Sequence, residues 1–232
     1  MIRLLQDKKV LYFDIGYTLD MPASGDWMFT NLFLREAGDR LKEHTDAEIS
    51  CARDAGLRFL TQNHLVTSVE AECAQFRQYY SIISDELGLG LSGEQLDRAA
   101  RDRSYNMDNY IPYPGIREVL ETLSKTHRLG LISDTWPSVD KQLEHIGVDR
   151  YFSFHTYSCE LGVFKPDRRM YLDALAKGGV PAEETVFIDD SVRNLDGAAE
   201  LGITPVLISA NPAADVETRH LKIHDLRELI GD

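Results

Sequence analysis

The sequence predicts an α/β fold: a parallel, doubly wound (Rossmann-like) sheet core with an all-helical cap inserted after its first strand. Three observations predict it. Short apolar runs alternate with helical stretches through the C-terminal half of the chain, the pattern of βαβ units whose strands are covered on both faces. Residues 21–107 differ, with helical periodicity and no convincing strand. The length, 232 residues at 43% hydrophobic content, suits one large domain or a core with an insertion.

The first strand is Lys9–Ile15, an apolar run that meets Asp14 at its end and then a Gly16-Tyr17-Thr18 turn. In the insertion, Trp27, Phe29, Leu32 and Phe33 mark an apolar helix face with Gly38 as its stop, and further helices are predicted at Asp46–Thr61, Val69–Leu87 and Gly93–Asn106. Phe76, Tyr79 and Tyr80 read as bundle packing. The chain returns through YIPYPG (110–115), stiffened by its prolines. The expected division is therefore a core of residues 1–20 and 108–232 and a cap of residues 21–107. Within the core, helix Ile116–Ser124 follows Pro114-Gly115, and strand Arg128–Ser133 comes next. Helix Val139–Ile146 starts after Pro137-Ser138, and strand Phe152–Tyr157 follows it. Then come helix Met170–Ala176, strand Thr185–Asp189, helix Leu195–Leu201, strand Thr204–Ser209 and helix Leu221–Ile230.

Composition narrows the function. A formal charge of −13, from 38 acidic and 25 basic residues, disfavours nucleic-acid binding, which depends on Lys and Arg neutralising phosphates. No apolar run is long enough for a membrane span. The N-terminus lacks the pattern of a secretory signal, and Cys51, Cys73 and Cys159 suit buried thiols in a reducing compartment, so a cytoplasmic location is expected. The seven histidines form no zinc set, and no glycine-rich mononucleotide loop is present. His145, His155, Trp136, Arg168 and Arg169 read as packing or surface residues.

Parallel sheets gather reactive groups at the carboxyl ends of their strands. Asp14 ends the first strand, Ser133-Asp134 the second and Asp189-Asp190 the fourth, while Lys165 stands in GVFKPD just before a helix. Clustered carboxylates repel unless a cation bridges them, and Mg²⁺ prefers such oxygen ligands. Lys165 can hold Asp14 ionised, and a hydroxyl with turn amides can grip phosphoryl oxygens. This suits an anionic substrate and an attacking carboxylate.

These residues resemble the haloacid dehalogenase superfamily of hydrolases. Its first motif, Asp-x-Asp-Gly/x-Thr-Leu after an apolar strand, corresponds to Asp14-Ile15-Gly16-Tyr17-Thr18-Leu19. Its second, an apolar strand ending in Ser or Thr, corresponds to LGLISD with Ser133. Its third is Lys165 in a Lys-Pro-Asp setting, and its fourth is the acidic pair in VFIDDSVRNLDGAAELGI. The resemblance implies Asp14 as a nucleophile forming an aspartyl-phosphate, with Ser133 and Lys165 completing the catalytic set. It implies Mg²⁺ held by Asp14, the carbonyl of Gly16, Asp190 and, closely or through water, Asp189. Thr18, Ser133, Asp134 and Lys165 form the expected substrate-binding set, with Thr18 bracing the turn. Asn194 stands where a second Asp is frequent. The cap is expected to close over the site and select a small phosphorylated metabolite, in a monomer or homodimer without nucleic-acid or membrane partners.

One position departs from the pattern. The family's phosphatases carry at position 16 an Asp that protonates the leaving oxygen, and Gly16 cannot. Loss of a positioned acid costs about 10² to 10⁴ in rate, or ~3–5 kcal/mol. Three readings follow: a Mg²⁺-dependent phosphohydrolase using another acid (Asp20 or Asp26) or leaving groups needing no proton; a non-catalytic relative binding a phosphorylated ligand or a protein; and a 2-haloacid dehalogenase, whose halide leaves unprotonated.

Overall fold

The computed structural model describes residues 2–210 and 216–231; positions 1, 211–215 and 232 of the expected core lie outside the described residues. In chain order the elements begin with β1 (Val10–Phe13), β2 (Asp20–Pro22), α1 (Asn31–Ala37), α2 (Asp39–Lys42), α3 (Asp46–Gln62), α4 (Val69–Glu86) and α5 (Gly93–Tyr105). They continue through β3 (Tyr110–Pro112), α6 (Ile116–Ser124), β4 (Arg128–Ser133), α7 (Val139–Ile146), β5 (Phe152–Tyr157) and α8 (Ser158–Leu161). The last are α9 (Arg168–Gly178), β6 (Thr185–Asp189), α10 (Val192–Ala199), β7 (Thr204–Ile208) and β8 (Leu221–Ile223). The chain forms two compact units. One comprises Met1–Met21, Pro112–Thr135 and Leu143–Asp232; the other comprises Pro22–Ile111 and Trp136–Gln142. The segment Trp136–Gln142, which the sequence assigns to the core range, thus groups with the helices.

The first unit is built on a parallel sheet of strand order β5-β4-β1-β6-β7-β8. All four residues of β1 are buried, as a central strand with helices on both faces requires. Val10 and Tyr12 pack on one face with Ile132, Met170, Phe187 and Leu195. The Tyr12 hydroxyl donates to the Ala174 carbonyl at 2.9 Å, which keeps the phenol satisfied inside this core and fixes α9 to the sheet. Helix α6 buries Ile116, Val119, Leu120 and Leu123, the three-and-four spacing of one apolar stripe. Gly115, at φ 82°, makes the left-handed turn into it.

Helix α9 begins two residues before the expected Met170, because the Asp167 side chain accepts the Arg169 N–H at 3.0 Å. Helix α10 likewise begins at Val192, capped by Ser191, and ends at Ala199. One element differs in kind. The helix expected at Leu221–Ile230 is instead strand β8, paired in parallel with Val206–Ile208, followed by a 3₁₀ turn at Leu226–Leu229. The open backbone edge of β7 overrides local propensity there, and Asp225 with Glu228 forms a reciprocal cap that starts the turn. Burial deepens along β8, from Leu221 at 46% to Ile223 at 2% exposed.

The second unit is helical. Helix α3 starts at a capping box in which Glu48 N–H donates to the Thr45 hydroxyl and Thr45 N–H to the Glu48 carboxylate. Helix α4 buries Glu72, Phe76, Tyr79, Tyr80 and Ile83 on one face. Gly56 lets α3 approach it closely, since a Cβ there would meet the Tyr79 ring at 2.5 Å. Phe33 stacks on Tyr80 with ring centroids 4.6 Å apart. Residues 27–30, expected to be helical, are held short of helix. Asp26 accepts the Met28 and Phe29 N–H groups at 2.8 and 3.0 Å, and Thr30 caps α1.

Two polar side chains of α4 reach the segment 136–142. Glu72 accepts the Ser138 N–H and hydroxyl, each at 2.7 Å, which satisfies an orphan N–H at the start of α7. The Trp136 indole donates to Gln75 at 3.1 Å. Among the described residues no helix is long and apolar enough to cross a membrane.

Candidate active site

The ends of β1, β4 and β6 meet at one rim because they are adjacent strands in register. Asp14 N–H donates to the Ile188 carbonyl at 2.9 Å, just before Asp189. The Lys165 ammonium donates to the Ile132 carbonyl at 3.2 Å, just before Ser133. That ammonium also lies 2.7 Å from Asp14 Oδ1 and 2.8 Å from Asp189 Oδ2, with the lysine side chain 1% exposed. Burial opposes its charge, but Asp14, Asp189 and Asp134 outweigh burial and hold the ammonium well above the ordinary lysine range.

Asp189 is engaged on both oxygens. Besides Lys165 it accepts the Ser191 N–H at 2.7 Å and the Asn194 amide at 3.2 and 3.3 Å. Asn194 thus orients an acid rather than replacing one. Burial pushes the Asp189 carboxyl up to about 6. Asp190, less buried, is raised to about 7 by burial and then by the charges of Asp14 and Asp189.

Asp134 points its Oδ1 at the Lys165 backbone N–H, 2.9 Å away, so it ties the β4 end to the lysine segment. Its carboxyl is raised to about 6, chiefly by burial. Ser133, 3% exposed, ends β4. Thr18 is elsewhere. It is fully buried, and its hydroxyl has no hydrogen-bond partner among the described residues. It lines a separate cavity with Tyr113, Pro114, Ile116, Leu226 and others, none of them from the acidic cluster.

In the turn after Asp14, the Thr18, Leu19 and Asp20 N–H groups donate to the Ile15 carbonyl and Tyr17 N–H to that of Asp20. The Gly16 carbonyl stands outside these bonds. Of the two acids weighed as substitutes for the absent side chain at position 16, Asp26 is committed elsewhere. It caps Met28 and Phe29 and pairs with Arg53. Asp20 is fully buried beside the turn.

Arg168 and Arg169 lie exposed on α9, Arg169 paired with Asp167 at 2.7 Å. One positioning residue carries no sequence signal. The Ser158 hydroxyl accepts Thr135 N–H at 2.7 Å and donates to the Thr135 carbonyl at 3.2 Å, clamping the loop after Ser133 from 23 residues away.

Carboxylate oxygens of Asp14, Asp189 and Asp190 lie within 4.8 Å of one another. Lys165 offsets only part of their charge. Hard oxygen donors with excess negative charge fit Mg²⁺ rather than a softer metal.

Residues 32–202 match the model of haloacid dehalogenase-like hydrolases, a span well over half of the chain that begins after Asp14. The GMP/IMP nucleotidase YrfG of Escherichia coli is 29% identical over 157 residues, 63% of this chain and 65% of that protein. The glyceraldehyde 3-phosphate phosphatase of Methanocaldococcus jannaschii is 30% identical over 129 residues, 51% of this chain and 55% of that one. The matched regions therefore cover less than two thirds of these relatives' length. The 2-haloacid dehalogenase of Pseudomonas syringae pv. Tomato DC3000 superimposes with a TM-score of 0.64 over 96% of both chains; at 21% identity that likeness is one of fold. With the rim residues gathered as described and most of its length matched by the family's model, the chain belongs to the haloacid dehalogenase-like hydrolases.

Proposed function

We propose that the protein is a Mg²⁺-dependent phosphohydrolase that acts on a small phosphorylated metabolite through an aspartyl-phosphate on Asp14. The carrying observation is the charge arrangement: three carboxylates within 4.8 Å of one another and a single buried ammonium shared by two of them. Asp14, Asp190 and the Gly16 carbonyl would hold the metal, and Asp189 would act mainly by fixing Lys165. The bound ion supplies positive charge against the phosphoryl oxygens.

An Asp14 oxygen attacks phosphorus, and the bond to the leaving oxygen breaks with its electron pair. Water then attacks phosphorus, releases phosphate and restores the carboxylate. Lys165 keeps Asp14 ionised and offsets phosphoryl charge. Ser133 and the neighbouring amides, braced through Asp134 and Ser158, grip the phosphoryl oxygens. Gly16 contributes no proton, so substrates whose leaving oxygen departs as a stable anion are favoured.

Turnover of p-nitrophenyl phosphate and of an alkyl phosphate, with and without Mg²⁺, tests this reading. The expected result is Mg²⁺-dependent cleavage of the aryl ester, feeble cleavage of the alkyl ester, and at least a tenfold gain on the alkyl ester in Gly16→Asp. No turnover of either ester with intact Mg²⁺ binding would instead favour a ligand-binding relative. Chloride release from a 2-haloacid would favour a dehalogenase.

A further inference from the structure

Tyr17 is the one non-glycine residue among those described whose backbone is left-handed, at φ 53°. A side chain with a Cβ is disfavoured there, and strain of this kind gathers at functional sites. Retaining a large ring at that position calls for something the ring does.

The ring lines a cavity of about 230 Å³ together with Asp190, Leu207, Ile208, Ser209 and Val216. Leu207 and Ile208 place it at the end of β7, Val216 is its one exposed large apolar side chain, and Asp190 brings it beside the acidic cluster. An apolar cavity of about 150 Å³ holds one benzene ring, so this one has room for a ring and its linking atom.

A second, chemical observation selects the same occupant. With glycine at position 16 the leaving oxygen must depart without a positioned proton donor, which an aryl oxide does by delocalising charge and an alkoxide does not. We propose that Tyr17 is a specificity-determining residue that seats the substrate's leaving group, and that this group is a flat apolar one bearing an acidic oxygen, of the aryl class. The proposal rests on the phosphohydrolase reading above.

Binding measures it independently of turnover. Phenylphosphonate and methylphosphonate are titrated by calorimetry, with Mg²⁺ present, into the parent chain, Tyr17→Asn and Tyr17→Phe. Asn tolerates the left-handed backbone and removes the ring; Phe keeps the ring. The expected result is that the parent prefers phenylphosphonate by at least about tenfold, the margin that burying a ring provides. Tyr17→Phe should keep that preference and Tyr17→Asn reduce it to below about threefold. Equal affinities in the parent, no binding of either probe, or a preference that survives Tyr17→Asn would overturn the assignment. If the phenyl preference behaves as expected while p-nitrophenyl phosphate is not turned over, the phosphohydrolase reading fails and the ring's binding role stands.

Discussion

At the rim of the sheet the Lys165 ammonium sits 2.7 Å from Asp14 and 2.8 Å from Asp189. Removing it leaves two carboxylates buried without their counter-ion. Lys165→Met should therefore destabilise the fold by about 3–5 kcal/mol in urea unfolding, as expected when one partner of a buried pair is lost; a loss below about 1 kcal/mol would mean that the pair is solvated. Gly197 on α10 lies against Pro166, the residue after this lysine. A Cβ there would meet Pro166 Cβ at 2.7 Å and the Tyr171 ring at 3.2 Å. Gly197→Ala should cost about 1–3 kcal/mol by overpacking and lower kcat more than it raises KM, since it displaces the segment that carries Lys165. An unchanged kcat would show that this approach is slack. Asp14, Ser133, Lys165 and the Asp189-Asp190 pair were legible in the sequence because each stands at a strand end or in a recognisable motif. The Ser158 clamp and the left-handed Tyr17 were not, because a contact across 23 residues and a backbone angle leave no local pattern. Thr18 is buried in the turn after Asp14, where its N–H donates to the Ile15 carbonyl at 3.1 Å, and it lines the cavity shared with Tyr113.

Elements whose apolar runs are buried on both faces were readable almost to the residue, as in Arg128–Ser133 and Thr185–Asp189, and so was α6 with its four-residue stripe. Leu221–Ile223 was not, since a three-residue edge strand is decided by the neighbour it joins rather than by its own periodicity. The helical unit holds a testable titration in His64, which is 2% exposed and stands edge-on to Trp136 with ring centroids 5.0 Å apart. Burial lowers the imidazole to about 4 from an ordinary 6.5. A depressed folded-state pKa contributes stability that is present above the unfolded value and lost as pH falls through the folded one. The window is therefore pH 6.5 down to about 4, and the full loss is about 3 kcal/mol. Urea unfolding of the parent and of His64→Gln across that range should show the parent falling more steeply by about this amount. Parallel curves would mean that the imidazole is not desolvated.

For the whole molecule, a charge of −13 and a rim with more carboxylates than ammonium groups favour a divalent cation. Saturation to about 100 times the dissociation constant stabilises a native state by about 2.7 kcal/mol, so Mg²⁺ should raise Tm by about 5–10 °C. Asp190→Asn should remove most of that shift; an equal shift in the variant would move the metal elsewhere. The fold class was legible from the alternation of elements alone, whereas the cavity beside Asp190 was not, because it draws Tyr17 and Val216 together from separate stretches of the chain. The proposed reaction turns on which atom takes the phosphoryl group. The direct measurement is mass spectrometry of acid-quenched protein after mixing with p-nitrophenyl phosphate and Mg²⁺. The expected result is a phosphoryl adduct on the peptide bearing Asp14, absent from Asp14→Asn together with turnover. Undiminished turnover in Asp14→Asn, with no adduct in the parent, would contradict the account.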